Sequence, residues 1–211
     1  SKNIHKRFNL ILLDLGFSSN QLENEFIGLS FKINSKLNMN YLDGDLTAFE
    51  IINNYNVVEL NRIFKDYGEI HNYNKLSEFI VKNRSKKSIE TNFDLIEILR
   101  NSKVNFRSKK IHFATQAFQA LRIEVNKEIE NLKNFLEKVH LYLKTDGFLA
   151  IISFHSIEDR VVKNYFRSNS CKKNNYFSNN HDWGFEILTK KPITPKKIEI
   201  INNNRSRSAK L

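Results

Sequence analysis

This sequence holds one cysteine, Cys171, in 211 residues. An internal disulfide is therefore excluded, and so is a cysteine metal knuckle. With no CxxC pair and no HExxH either, a metal site is not expected, and a reducing compartment, the cytoplasm, is. No apolar run approaches the roughly 18 residues of a membrane span. The basic opening SKNIHKR leads only into a short apolar run broken by Asp14, unlike a signal peptide, so the expectation is a soluble protein without membrane partners. A GxSxG elbow is missing, which removes the usual signature of a serine hydrolase nucleophile. Internal repeats are missing too. The chain begins at Ser1, its only methionine is Met39, and a strand-like run starts within ten residues. That is how an excised piece of a larger protein begins.

What is present sets wider bounds. Two-fifths of the residues are apolar, enough for a real core, as one domain with an insertion or as two domains. Lys plus Arg number 34 against 23 Asp plus Glu, a net charge of +11. Such a balance favours a polyanionic partner, nucleic acid before anionic membrane. An excess of Asn, Lys and Ile looks like that of an AT-rich genome, whose lysines inflate that charge, and the charge is not read as a functional signal by itself.

The stretch FNLILLDLGFSSNQL, residues 8–22, is an apolar run that breaks at Asp14 and Gly16 and turns polar. It has the form of a buried strand delivering a carboxylate to the edge of a parallel sheet, where open α/β folds keep their ligands. The glycine-rich turn that should come earlier in such a fold is not in the sequence. From Glu23 to Leu46 no period holds, and an ordered loop is expected. Helices follow. Asn56 and Glu59 form a capping box ahead of VVELNRIFKDY, with Val57, Leu60, Phe64 and Tyr67 on one face and Gly68 as a stop. NKLSEFIVKNR places Leu76, Phe79 and Ile80 together, and Thr91 with Asp94 starts a third helix carrying Leu95, Ile98 and Leu99. These short basic helices read as one insert.

After the basic stretch Arg107 to Lys110, one long helical region is predicted from Ala114, with Leu132, Phe135, Leu136, Val139 and Leu143 at helical spacing and Gly147 as its end. FLAIISF then reads as a strand buried on both faces, completing a crossover unit. Ile157 to Phe166 is predicted helical, Arg167 to Asp182 a mobile loop, and Phe185 to Lys190 a strand. Thr194 and Pro195 fit the start of a short helix.

Two predicted strands end in polar clusters. In a parallel sheet both carboxyl ends open on one edge, so Asp14, Ser18, Gln21, Ser153, His155, Ser156 and Glu158 can converge on one cleft. Taken singly, each has a plainer reading: His155 or Ser156 as a helix cap, and Glu158, Asp159 and Arg160 as a solvated first turn. Arg122 fits a phosphate contact, or equally a surface guanidinium with its stem packed on Phe118.

The chain resembles the bacterial 16S ribosomal RNA cytosine-N(4) methyltransferase family, RsmH or MraW. The likeness rests on LLDLGFSSNQL at 12–22, GLSFKINSKLNM at 28–39, YGE at 67–69, HFATQAFQALRIEVN at 112–126, ISFHSIEDRVVKNYF at 152–166, and LTKKPITP with NRSRSAKL near the end. It spans nearly all of the chain. The resemblance implies the C-terminal part of a Rossmann-like class I methyltransferase fold, α/β, with an all-helical insertion. Residues 1–22 and 111–211 would form a partial methyltransferase core, and 23–110 a loop plus helical substrate-recognition insert. It also accounts for the missing turn, because family members carry an upstream VDGTxGxGGHS-like loop and an acidic residue for the donor ribose, and this chain starts near the fourth strand. Asp14 and Gln21 match residues that the family sets against S-adenosyl-L-methionine. Asn38, Asn40, Phe113 and Gln116 depart from the family's usual Asp, Arg, Pro and basic residue.

The implied activity is methylation of a cytosine exocyclic amine in 16S ribosomal RNA of the small ribosomal subunit, in the cytoplasm. Catalytic pocket candidates are Asp14, Ser153 and His155, with cofactor binding at Asp14 and Gln21. RNA-binding candidates are Arg122, Lys190, Arg205 and Arg207, and no metal is expected. The competing reading is a non-catalytic RNA-binding or ribosome-assembly remnant, since half of the donor pocket is absent from the sequence.

Overall fold

The computed structural model describes residues 6–16, 28–30, 33–41, 44, 46–104, 112–170 and 183–211. The chain divides into two compact units, one of Ser1–Gly16 with Ile129–Leu211 and one of Phe17–Glu128. The sequence reading put these boundaries at 22/23 and 110/111. The difference is largely one helix, at 115–125, that packs with the helical unit.

In the first unit β1 (Phe8–Asp14) and β2 (Leu143–Ile152) pair in parallel, running from Leu10 opposite Phe148 to Asp14 opposite Ile152. Side chains alternate between the two faces of a strand. Leu13, Leu149 and Ile151 face a small core built with α6 (Glu128–Val139) and α7 (Ser156–Ser168), which contribute Leu132, Leu136, Val161, Val162, Tyr165 and Phe166. Leu10, Leu12 and Phe148 point the other way and are 58%, 60% and 55% exposed. Burial on both faces, expected of β2, is thus corrected: among the described residues, helices cover one face of the pair.

The predicted long helix is also corrected. It is two helices, α5 (Thr115–Val125) and α6, separated at Asn126 and Lys127, with Lys127 at φ 49°. Gly147 does not end a helix but lies inside β2. The register shifts between Phe8 and Leu10, and residues 144–147 absorb the excess as a bulge in which Asp146 takes φ 62°. A Cβ on Gly147 would stand 2.9 Å from the Lys144 carbonyl oxygen and 3.1 Å from that of Phe8. Only glycine lets the strands approach so closely.

On its other edge β2 meets the chain's last residues. Ser153 and Lys210 exchange two backbone hydrogen bonds of 2.9 Å, and Ile193 and Leu211 exchange another pair. The strand predicted at Phe185 to Lys190 is reduced to an isolated bridge between Ser170 and Phe185. Instead of pairing further, Phe185 packs edge-on against Phe166 and Trp183, and Trp183 stacks on His140 at 4.0 Å. The short C-terminal helix is α8 (Lys197–Asn202). It starts after Lys196, whose N–H donates to Glu199, and not at Thr194.

The second unit is built from α1 (Ala48–Asn54), α2 (Val57–Asp66), α3 (Tyr73–Arg84), α4 (Asn92–Asn101) and α5. Capping boxes at Asn56–Glu59 and Thr91–Asp94 form as predicted, and Thr47–Glu50 adds a third. One core holds Ile51, Leu60, Phe64, Leu76, Ile80, Leu95, Leu99 and Leu121. The described part of the expected loop 23–46 is tied down by two buried asparagines. Asn92 donates to the carbonyls of Ser30 and Ile33 and accepts from Ser35 N–H. Asn126 donates to the Met39 carbonyl and accepts from Tyr41 N–H. Among the described residues, no helix is long and apolar enough to cross a membrane.

Candidate functional site at the carboxyl edge of the strand pair

The parallel register places the ends of β1 and β2 side by side. Asp14 is opposite Ile152, and Leu15 N–H donates to the Ile152 carbonyl at 3.0 Å, so Ser153 follows directly on the same edge. Asp14 is exposed, and no described residue hydrogen-bonds its carboxylate. Beyond it the chain turns at Gly16, whose φ of +97° favours a residue without Cβ. A carboxylate left open to a ligand at the end of a parallel strand is where α/β proteins place binding groups.

Ser153 is 3% exposed and engaged through its backbone with Lys210. His155 caps α7, with Nδ1 accepting the Glu158 N–H at 3.4 Å. The capping role foreseen as its plainer reading is therefore what its ring does. Nε2 lies 3.1 Å from Glu158 Oε1, off the line of a hydrogen bond. Glu158, expected in a solvated turn, is buried. Asp159 pairs with Lys210 Nζ at 2.9 Å, binding the chain's end to the first turn of α7. Ser18 and Gln21, foreseen on this edge, lie outside the described residues, as does the basic stretch Arg107 to Lys110.

The RNA-contact candidates divide by location. Lys190, Arg205 and Arg207 are exposed on the C-terminal segment, the two arginines on a 3₁₀ turn at Asn204–Ser208. Arg122 is mostly buried in the helical unit. Its Nε and Nη2 donate to the two carboxylate oxygens of Glu128 at 2.7 and 3.0 Å, and Tyr41 donates to the same carboxylate at 2.7 Å. A bidentate pair so enclosed has geometric work inside the unit.

Arg122 belongs to a wider pattern. In the 112–126 block, Gln116 donates to the Gly68 and Glu69 carbonyls and Gln119 to that of Tyr67, so the block clasps the YGE turn. Glu124 takes the Arg62 guanidinium and the Tyr55 hydroxyl. Burial and then the Glu124 charge push the Tyr55 pKa up. These clasps were not foreseen, because each joins residues some fifty or more positions apart.

A parallel strand pair with an open carboxylate at its carboxyl edge, flanked by helices, defines a mixed helix-and-strand protein of the kind that fits an α/β methyltransferase. The chain belongs to the MraW methylase family, whose family model matches residues 1–211. It is similar to the ribosomal RNA small subunit methyltransferase H of Helicobacter pylori strain Shi470, 46% identical over 213 residues that cover 98% of this chain and 67% of the relative. The protein of the same name from Campylobacter jejuni strain 81-176 is 43% identical over 211 residues, covering 95% of this chain and 66% of the relative.

Proposed function

We propose that this protein is an S-adenosyl-L-methionine-dependent methyltransferase acting on the exocyclic amine of a cytosine in 16S ribosomal RNA, in the small ribosomal subunit and in the cytoplasm. Its core would be Rossmann-like and of class I, with residues 1–22 and 111–211 in the core and 23–110 as the helical substrate-recognition insert. Family membership and the relatives' names support the chemistry. The observation that carries the site is Asp14, open at the carboxyl end of a parallel strand beside Ser153.

When bound, S-adenosyl-L-methionine supplies a methyl group on a sulfonium, electrophilic without further activation. The chain's residues fit such a group in charge and space, since Asp14 offers an unengaged carboxylate and Gly16 leaves its turn without a side chain. The amine lone pair is delocalised into the base, so the protein's task is to hold and aim it, and orientation supplies most of the gain. Attack by the amine would break the S–CH3 bond and leave the neutral thioether, S-adenosyl-L-homocysteine. The resulting cationic nitrogen would release its proton to solvent, so no strong base is required of Ser153 or His155. Asp14, with Gln21, holds the donor. The exposed Lys190, Arg205 and Arg207 meet phosphate. Structured RNA is read through its backbone and shape with the target base drawn out, a task that suits a basic helical insert.

The test is transfer of isotopically labelled methyl from S-adenosyl-L-methionine to small ribosomal subunits, followed by digestion of the RNA to nucleosides. Label on the cytosine exocyclic nitrogen is expected. Binding of the RNA with no transfer at all would instead favour the non-catalytic reading.

A further inference from the structure

Glu158 stands in the first turn of α7, yet its side chain is only 4% exposed. The other capping-box acids, Glu50, Glu59, Asp94 and Glu199, are half-buried or exposed. Burying a carboxylate is costly unless its oxygens are satisfied. Here Oε2 accepts the N–H of Phe154 at 2.8 Å and of His155 at 3.3 Å, while Oε1 faces His155 Nε2. His155 reciprocates by accepting the Glu158 N–H. What this exchange fixes is the Ser153–His155 turn, the stretch by which the chain leaves β2 on the edge where Asp14 ends β1. A ring carbon of Phe154, Cδ2, stands 3.7 Å from where a Cβ on Gly16 would be. The carboxylate sets the turn, the turn sets the Phe154 ring, and the ring lies along the Asp14–Gly16 bend.

We propose that Glu158 is a positioning residue for methyl transfer: by holding Phe154 against the Asp14–Gly16 bend it sets the width of the edge that the acceptor base enters. This rests on the methyltransferase reading above. A helix cap alone needs no fully buried charge, since half-buried or exposed acids serve at the other capping boxes.

The experiment compares wild type, Glu158→Gln and His155→Asn in labelled methyl transfer to small ribosomal subunits, with kcat, both KM values and the melting temperature recorded. Gln keeps the shape but not the charge, and Asn keeps a good cap but loses the ring. For Glu158→Gln a fall in kcat of about tenfold or more is expected, with KM changes within about threefold, as misorientation produces. The fall should persist when the assay runs well below the variant's melting temperature, and His155→Asn should fall in the same direction. Glu158→Gln with kcat within about twofold of wild type would overturn the proposal, and so would a loss that disappears on cooling. Should Glu158→Gln fail to melt cooperatively, His155→Asn decides, and wild-type kcat in it overturns the proposal. An inactive wild type would fell the methyltransferase reading, whereas an active wild type with an indifferent Glu158→Gln fells only this inference.

Discussion

The hydroxyl of Tyr165 lies in the small core of the strand unit with no hydrogen-bond partner among the described residues, and burial pushes its pKa up to about 12. An unsatisfied hydroxyl costs more than it returns, so Tyr165→Phe should raise stability by about 1 kcal/mol in chemical denaturation. Asp94 shows the opposite situation. Burial works to raise its pKa, but hydrogen bonds from the Thr91 hydroxyl and from the N–H groups of Thr91 and Glu90, with Lys87 nearby, hold it below the ordinary carboxylate value of 3.8. A depressed folded-state pKa stabilises above the unfolded value, and the contribution disappears as pH falls through the folded one. Wild type should therefore be more stable than Asp94→Asn at neutral pH, with the gap closing in acid denaturation. Thr91→Ala should cost about 1 kcal/mol at neutral pH, the usual loss for a cap. The Thr91–Asp94 cap, like that of Asn56–Glu59, was legible in the sequence because donor and acceptor stand three residues apart. Asn92, Asn126 and Gln116 were not, since their partners are set by tertiary folding and carry no local signature.

At the scale of elements, the two faces of the strand pair give the sharpest contrast. Leu13 packs in the core while its neighbour Leu12 is 60% exposed. Leu13→Ala, at a partly buried position, should cost about 1–2 kcal/mol, and Leu12→Ser no more than about 0.5 kcal/mol while improving solubility, both read from urea melts with aggregation followed by light scattering. Apolar composition announced the strands but not which face would be covered, because that depends on what packs there. Gly147 misled for a related reason: a glycine after a helical period signals a helix end, and a strand bulge leaves the same mark. FEILTK has strand composition, yet pairing needs an edge, and beyond Phe185 the segment finds none among the described residues. From Trp183 to Leu211 the chain carries seven basic residues against two acidic ones. If that arm meets phosphate, Arg205→Ala with Arg207→Ala should flatten the salt dependence of RNA binding, lowering the log–log slope by about 1 to 2 in filter-binding or anisotropy titrations.

For the whole molecule, family membership was readable from long sequence blocks, and the structure explains part of why those blocks look as they do. The 112–126 block clasps the YGE turn and the loop after Gly28, so its polar residues serve the helical unit's interior. The 152–166 block carries the reciprocal His155–Glu158 cap at the strand edge. Among the described residues at that edge, Asp14 presents an open carboxylate with no hydrogen-bond partner, which is why the proposed chemistry is assigned there. The most direct measurement is single-turnover methyl transfer to small ribosomal subunits by Asp14→Ala beside wild type, with circular dichroism to confirm equal folding. A loss of about a hundredfold or more in kcat/KM is expected, roughly 2.7 kcal/mol or more of transition-state stabilisation. Turnover equal to wild type in a folded Asp14→Ala protein would contradict the assignment of the active edge.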